Sequence, residues 1–107
     1  MHTFAPLTLL LATTASATIS FTTWNCTDCA PTPGTFCSVN TRSQLPENLC
    51  VPMWSGSTYI RTFDATAPTC QVNLYLASDC TGTPEVHREN GSVCERKGPT
   101  NSFQITC

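Results

Sequence analysis

Charge is scarce in this sequence, and basic charge is scarcer: five Lys and Arg stand against seven Asp and Glu in 107 residues, a formal net charge of −2. The densest basic point is the pair Arg96-Lys97. Such a chain has no electrostatic footprint for a phosphate backbone or an anionic lipid surface. Nucleic acid is therefore not an expected partner, and the strongly cationic, membrane-disrupting kind of antimicrobial protein is disfavoured.

Long apolar runs are also missing. The most apolar stretch, Phe4 to Ala12, falls well short of the roughly 20 residues that a membrane-spanning helix needs. A 3.6-residue apolar period is absent almost everywhere; "RSQLPENL" (42–49) has room for one helical turn at most, because Pro46 sits at its centre. No G-x-S-x-G stands in the chain, and His87 is the only His beyond residue 2, so a serine nucleophile has few bases to draw on. "EVHRE" (85–89) gathers His87 with Glu85, Arg88 and Glu89, a combination used by small secreted ribonucleases. Here the groups alternate along one short segment with no second His, and the segment reads as a solvated charged loop or edge strand. No catalytic residue is assigned. No metal site and no cofactor are expected, since Cys26-Thr27-Asp28-Cys29 lacks both the βαβ context of a redox pair and the further ligands of a zinc site.

What the chain has is cysteine. Residues 1–17, "MHTFAPLTLLLATTASA", carry no Asp, Glu, Lys or Arg and end in a small-x-small pattern, the layout of a secretory signal peptide. Residues 18–107 then form a single domain holding all eight cysteines: Cys26, Cys29, Cys37, Cys50, Cys70, Cys80, Cys94 and Cys107. An even count on a small exported domain predicts a disulfide framework. Four stretches carry β patterning. "ISFTTW" (19–24) places Ile19, Phe21 and Thr23 on one face; "STYIRTF" (57–63) separates Tyr59, Arg61 and Phe63 from Ile60. "QVNLYL" (71–76) points Val72, Leu74 and Leu76 inward, and "SFQITC" (102–107) groups Phe103, Ile105 and Cys107. Pro and Gly punctuate the rest, so the expected fold is all-β.

The stretch "WNCTDCAPTPGTF" (24–36) is echoed by "YLASDCTGTPEVH" (75–87). At an offset of 51, Trp24 meets Tyr75, Asp28 meets Asp79 and Cys29 meets Cys80; at an offset of 44, Cys50 meets Cys94 and Thr58-Tyr59 meets Ser102-Phe103. Two pseudo-repeats, about 19–64 and 70–107, would pack as a small disulfide-rich Greek-key sandwich. If Cys29 corresponds to Cys80 and Cys50 to Cys94, then Cys29–Cys50 and Cys80–Cys94 are equivalent bridges. Cys26–Cys37 and Cys70–Cys107 are the most local remainder.

"YLASDCTG" resembles the folded hairpin of βγ-crystallin-type Greek keys, and "NSFQI" is similar to the Ser-containing strand that closes such a motif. The resemblance implies that Gly82 permits the hairpin's backbone fold and that the Ser102 hydroxyl covers it. In the first half Pro31 stands where that glycine would be. The chain as a whole, with leader, size and "CQVNLY…DCTG…SF.ITC", resembles the small secreted cysteine-rich proteins of filamentous fungi, many of which are effector candidates.

These readings lead to a secreted, extracellular, non-enzymatic, effector-like protein that binds an extracellular protein target of a host. Its sharper form is an inhibitor of a host hydrolase or proteinase, with "LPENLCVPMW" facing the enzyme; the alternative is a toxin or antimicrobial acting on competing microbes. Binding is expected in loops projecting from the sandwich, 38–56 and 83–101 being the longest segments without strand patterning, with Trp54, beside Pro52 and Met53, as the anchor because a disulfide-tethered loop has already lost ordering entropy. Asn25 and Asn90 head glycosylation sequons.

Overall fold

A computed structural model describes residues 17–30, 37–43, 45–54, 56–89 and 93–107. Eight strands lie among them: β1 (Ser20–Trp24), β2 (Val39–Arg42), β3 (Val51–Pro52), β4 (Tyr59–Phe63), β5 (Gln71–Tyr75), β6 (Glu85–Arg88), β7 (Glu95–Arg96) and β8 (Ser102–Thr106). They form two four-stranded antiparallel sheets, ordered β2-β1-β4-β7 and β3-β8-β5-β6. The single helical turn among the described residues, Thr27–Cys29, contains Asp28 at φ 60°, ψ 30° and does not propagate. The fold is all-β, as the alternation predicts.

The two halves of the chain are interlocked. Each contributes three strands to one sheet and sends its third strand to the edge of the other: β3 joins β8, and β7 joins β4. A pseudo-two-fold relates the halves, with β1 to β4 corresponding to β5 to β8. Matching bonds confirm the correspondence. Thr58 N–H donates to Trp24 O as Asn101 N–H donates to Tyr75 O, both at 2.8 Å; Met53 N–H donates to Asn101 O as Lys97 N–H donates to Thr58 O, both at 2.9 Å.

This register corrects the sequence match in the fourth strand. Trp24 pairs with Tyr59 and Tyr75 with Ser102, so Tyr59 stands where Ser102 does and Ile60 where Phe103 does. The burial follows: Ile60 and Thr62 point inward as Phe103 and Ile105 do, while Tyr59, Arg61 and Phe63 line the outer face. Leu76 is also corrected. The strand ends at Tyr75, and Leu76 is 68% exposed instead of completing the inward row of Val72 and Leu74. Nor are 38–56 and 83–101 irregular loops, since each supplies two of the four edge strands.

Between the sheets lie Ile19, Phe21, Ile60, Val72, Leu74, Phe103 and Ile105, all essentially inaccessible. Phe21 and Phe103 meet edge to face, ring centroids 4.9 Å apart, and so join the two halves at the centre.

All eight cysteines are paired. Cys26–Cys37 and Cys70–Cys107 join as expected. The other two bridges are Cys29–Cys94 and Cys50–Cys80, not Cys29–Cys50 and Cys80–Cys94. The reason is the strand exchange. Cys50 and Cys94 immediately precede β3 and β7, the strands that cross to the opposite sheet, so each finds the hairpin cysteine of the other half. The equivalence of the cysteines holds, and the two bridges still map onto one another.

The cysteine of the repeated Asp-Cys has the same backbone conformation in both halves: Cys29 and Cys80 are left-handed, at φ 53° and 58°, although Asp28 is also left-handed and Asp79 is not. In the second half, Gly82 lies at φ 96°, a region open to glycine. Ser102 Oγ accepts from Cys80 N–H at 3.0 Å and donates to Ala77 O at 2.5 Å, covering the hairpin. In the first half Tyr59 occupies the Ser102 position and has no such hydroxyl reach. The Cys26–Cys37 bridge takes over there, with Asn25 N–H donating to Ser38 O at 3.2 Å and Asn25 Oδ1 accepting from Ser38 N–H at 2.7 Å.

Candidate functional site

The sandwich has two flanks where edge strands of opposite sheets face each other, β6 with β7 on one side and β2 with β3 on the other. The pseudo-two-fold relates them, yet the side chains treat them differently.

The β6/β7 flank is closed by polar groups. His87 on β6 is 6% exposed. Its Nε2 lies 2.5 Å from Glu85 Oε2 and its Nδ1 2.7 Å from Glu95 Oε1 on β7, so one ring ties the two sheets together. The imidazolium form satisfies both contacts by donating two N–H groups. Glu85 Oε1 also accepts from Gly98 N–H at 2.9 Å. Here the structure departs from the sequence reading: β6 is an edge strand, but His87 is not solvated. Carboxylates of the same chain thus occupy both ring nitrogens.

Lys97 completes this flank. It is 7% exposed, and its Nζ donates to Ser57 O at 3.0 Å and Gly98 O at 2.9 Å. Burial pushes its pKa below 10.5, and the nearby Glu85 carboxylate offsets part of that shift. The folded value is the depressed one, so between it and 10.5 the unfolded chain binds more protons and stability rises with pH. In Lys97→Met this rise is expected to be absent. Urea unfolding of both proteins at several pH values from neutral upward checks it: the wild-type advantage should grow with pH, and parallel profiles would count against the assignment.

The β2/β3 flank is open. A cavity of about 150 Å³ enters between the sheets there, floored by Phe21 and Phe103 and walled by Met53, Asn40 and Arg42. The Arg42 guanidinium lies 5.8 Å from the centre of the Phe103 ring. Trp54 stands at the rim, 58% exposed. Its indole lies against Gly56, where an added Cβ would come within 1.9 Å of the ring, so only glycine gives the indole this seat. The segment carrying it is tied down by Cys50–Cys80, by Asn48 N–H donating to Ile105 O at 2.8 Å and by Met53 N–H donating to Asn101 O.

Of the residues singled out from sequence, Trp54 and Met53 meet at this cavity; Met53 is half-buried against the core. Pro52 is exposed on β3, the edge of its sheet, where a residue without an N–H is tolerated. Val39, Asn40 and Arg42 fall in the expected segment 38–56 but were not singled out, because "VNTR" carries little apolar alternation and its strand went unread. Asn25 is half-buried, with its side-chain oxygen engaged by Ser38. Asn90 and residues 1–16 of the expected leader lie outside the described residues. Among the described residues no group of three His, Cys, Asp or Glu is arranged to hold a metal ion, and no helix is long and apolar enough to cross a membrane. Comparison with protein-family models, with curated proteins and with solved structures finds no match to this chain.

Proposed function

We propose that this chain is a secreted, non-enzymatic, effector-like protein of the fungal cysteine-rich kind, which binds an extracellular protein of a host through the β2/β3 flank. The observation that carries the reading is Trp54: a large aromatic, mostly exposed, on a segment fixed by a disulfide and two backbone bonds, at a cavity lined by Phe21, Phe103 and Met53 together with polar residues. Aromatic anchors next to pockets dominate binding energies, and a preordered segment loses little further entropy on association. Four disulfides fit an extracellular protein. The engagement of both His87 nitrogens supports a non-enzymatic role.

The inhibitor form of this reading draws support from residues 45–54, where Leu49 and Trp54 are exposed along one tethered stretch. A rigid, exposed segment of this kind suits a protease cleft.

Affinity capture tests the proposal. Oxidised protein on beads, exposed to host extracellular fluid, is expected to retain a partner that the reduced and alkylated chain does not. Trp54→Ala is expected to lose that partner by at least about tenfold, the scale of an aromatic hot spot. A hydrolase among the retained proteins would support the inhibitor form. Equal retention by Trp54→Ala would reject the site.

A further inference from the structure

We infer that the open flank recognises a carboxylate: an acidic side chain of the protein partner enters between β2 and β3, pairs with Arg42, and lays its apolar stem beneath Trp54. This rests on the binding reading above and names the group that the site selects.

The two flanks differ in what faces the basic residue of each. Phe21 and Val72 are counterparts in β1 and β5; Phe21 pairs with Arg42, and Val72 pairs with His87. Arg42 and His87 thus hold the same inward position on β2 and β6. By the same registers Asn40 stands where Glu85 does, and Val51, opposite Phe103, stands where Glu95 does, opposite Ile60. On the closed flank the basic ring meets two carboxylates of its own chain. On the open flank both carboxylate positions are taken by residues that carry no charge, and the cation remains.

Among the described residues Arg42 has no carboxylate partner. Among the described residues the ion pairs are the two on His87, and all seven Asp and Glu of the chain are described. Its guanidinium rests near the Phe103 face, at the wall of the cavity. A guanidinium is built to hold a carboxylate through paired N–H donors. The space of about 150 Å³ is on the scale of one side chain. Its lining of Phe21, Phe103, Met53 and Trp54 suits a methylene stem, which a bare anion lacks.

The test titrates two blocked peptides, acetyl-Leu-Glu-Leu-amide and acetyl-Leu-Gln-Leu-amide, into oxidised ¹⁵N-labelled protein and follows the Trp54 indole N–H, assigned with Trp54→Phe. The Glu peptide is expected to shift it with an affinity roughly fivefold or more above that of the Gln peptide, the contribution of a charge-assisted pair. Arg42→Gln is expected to abolish the preference while leaving the remaining spectrum in place. Equal affinities, no shift with either peptide, or a preference surviving in Arg42→Gln would overturn the proposal. Acetate is expected to leave the indole signal unmoved; acetate acting as strongly as the Glu peptide would assign the site to a free anion and overturn it too. If the Glu preference fails while Trp54→Ala still loses its captured partner, the carboxylate falls and the binding reading stands. Undiminished capture by Trp54→Ala removes the binding reading itself.

Discussion

Replacing Cys29 and Cys94 together by alanine is expected to cost about 4 kcal/mol, the chain-entropy value for a bridge between residues so far apart. The bridge spans 65 residues and ties the hairpin of the first half to β7 of the second. For a domain of this size the loss corresponds to a fall in melting temperature on the order of 20 °C. Removing Cys26–Cys37, with a separation of 11, is expected to cost about 3 kcal/mol, because it closes a short loop within one half. The physical difference is that Cys29–Cys94 fastens an exchanged strand. β7 has only two residues and pairs with β4 through Tyr59↔Arg96 and Ile60↔Glu95, so the bridge adds a covalent anchor to that short pairing and to the Glu95–His87 contact. Thermal unfolding of the two double variants, followed by circular dichroism, checks the order. A smaller loss for Cys29–Cys94 than for Cys26–Cys37 would mean that strand exchange contributes less than the topology implies.

Replacing His87 by leucine is expected to cost about 2 kcal/mol, below the usual value for breaking a buried pair because the two glutamate side chains are about one-third exposed. The substitution leaves Glu85 and Glu95 facing an apolar group and each other across the β6/β7 flank. Adding Glu95→Leu is expected to recover part of the loss, since one of the two facing carboxylates is removed and apolar contact replaces the polar clip. Urea midpoints of the single and double variants decide the matter. If Glu95→Leu on the His87→Leu background destabilises further, Glu95 is held by interactions other than the clip.

Much of the fold was legible because β1, β4, β5 and β8 point one face between the sheets, and apolar side chains recur on that face with a period of two. Ile19/Phe21, Val72/Leu74 and Phe103/Ile105 are that pattern. The edge strands left little trace: β3 and β7 have two residues each, and β2 exposes most of its side chains. Without them the exchange of third strands was invisible, and a pairing of cysteines within each half followed naturally. Recurrence of Asp-Cys identified the correct equivalences but could not say which half each Cys would reach, because a two-fold axis preserves equivalence under either pairing.

The site was legible at Trp54 and Met53, and more coarsely in the segment 38–56 that holds most of its lining. Arg42 and the floor of Phe21 and Phe103 are brought together across the two sheets from three distant parts of the chain. Likewise "EVHRE" contained His87 and Glu85 but not Glu95, which arrives on the exchanged strand β7. Local charge pattern therefore suggested a solvated segment, and tertiary placement buried its imidazole.

The most direct test of the account compares the binding of an identified, purified partner to the native protein, to Trp54→Ala and to Leu76→Ser, side by side by calorimetry. Leu76 is as exposed as Trp54 but lies away from the cavity lining, so it controls for loss of surface apolar area. The account predicts at least about tenfold weaker binding for Trp54→Ala and unchanged binding for Leu76→Ser. Unchanged binding for Trp54→Ala, or a greater loss for Leu76→Ser, would contradict the assignment of the β2/β3 flank as the binding site.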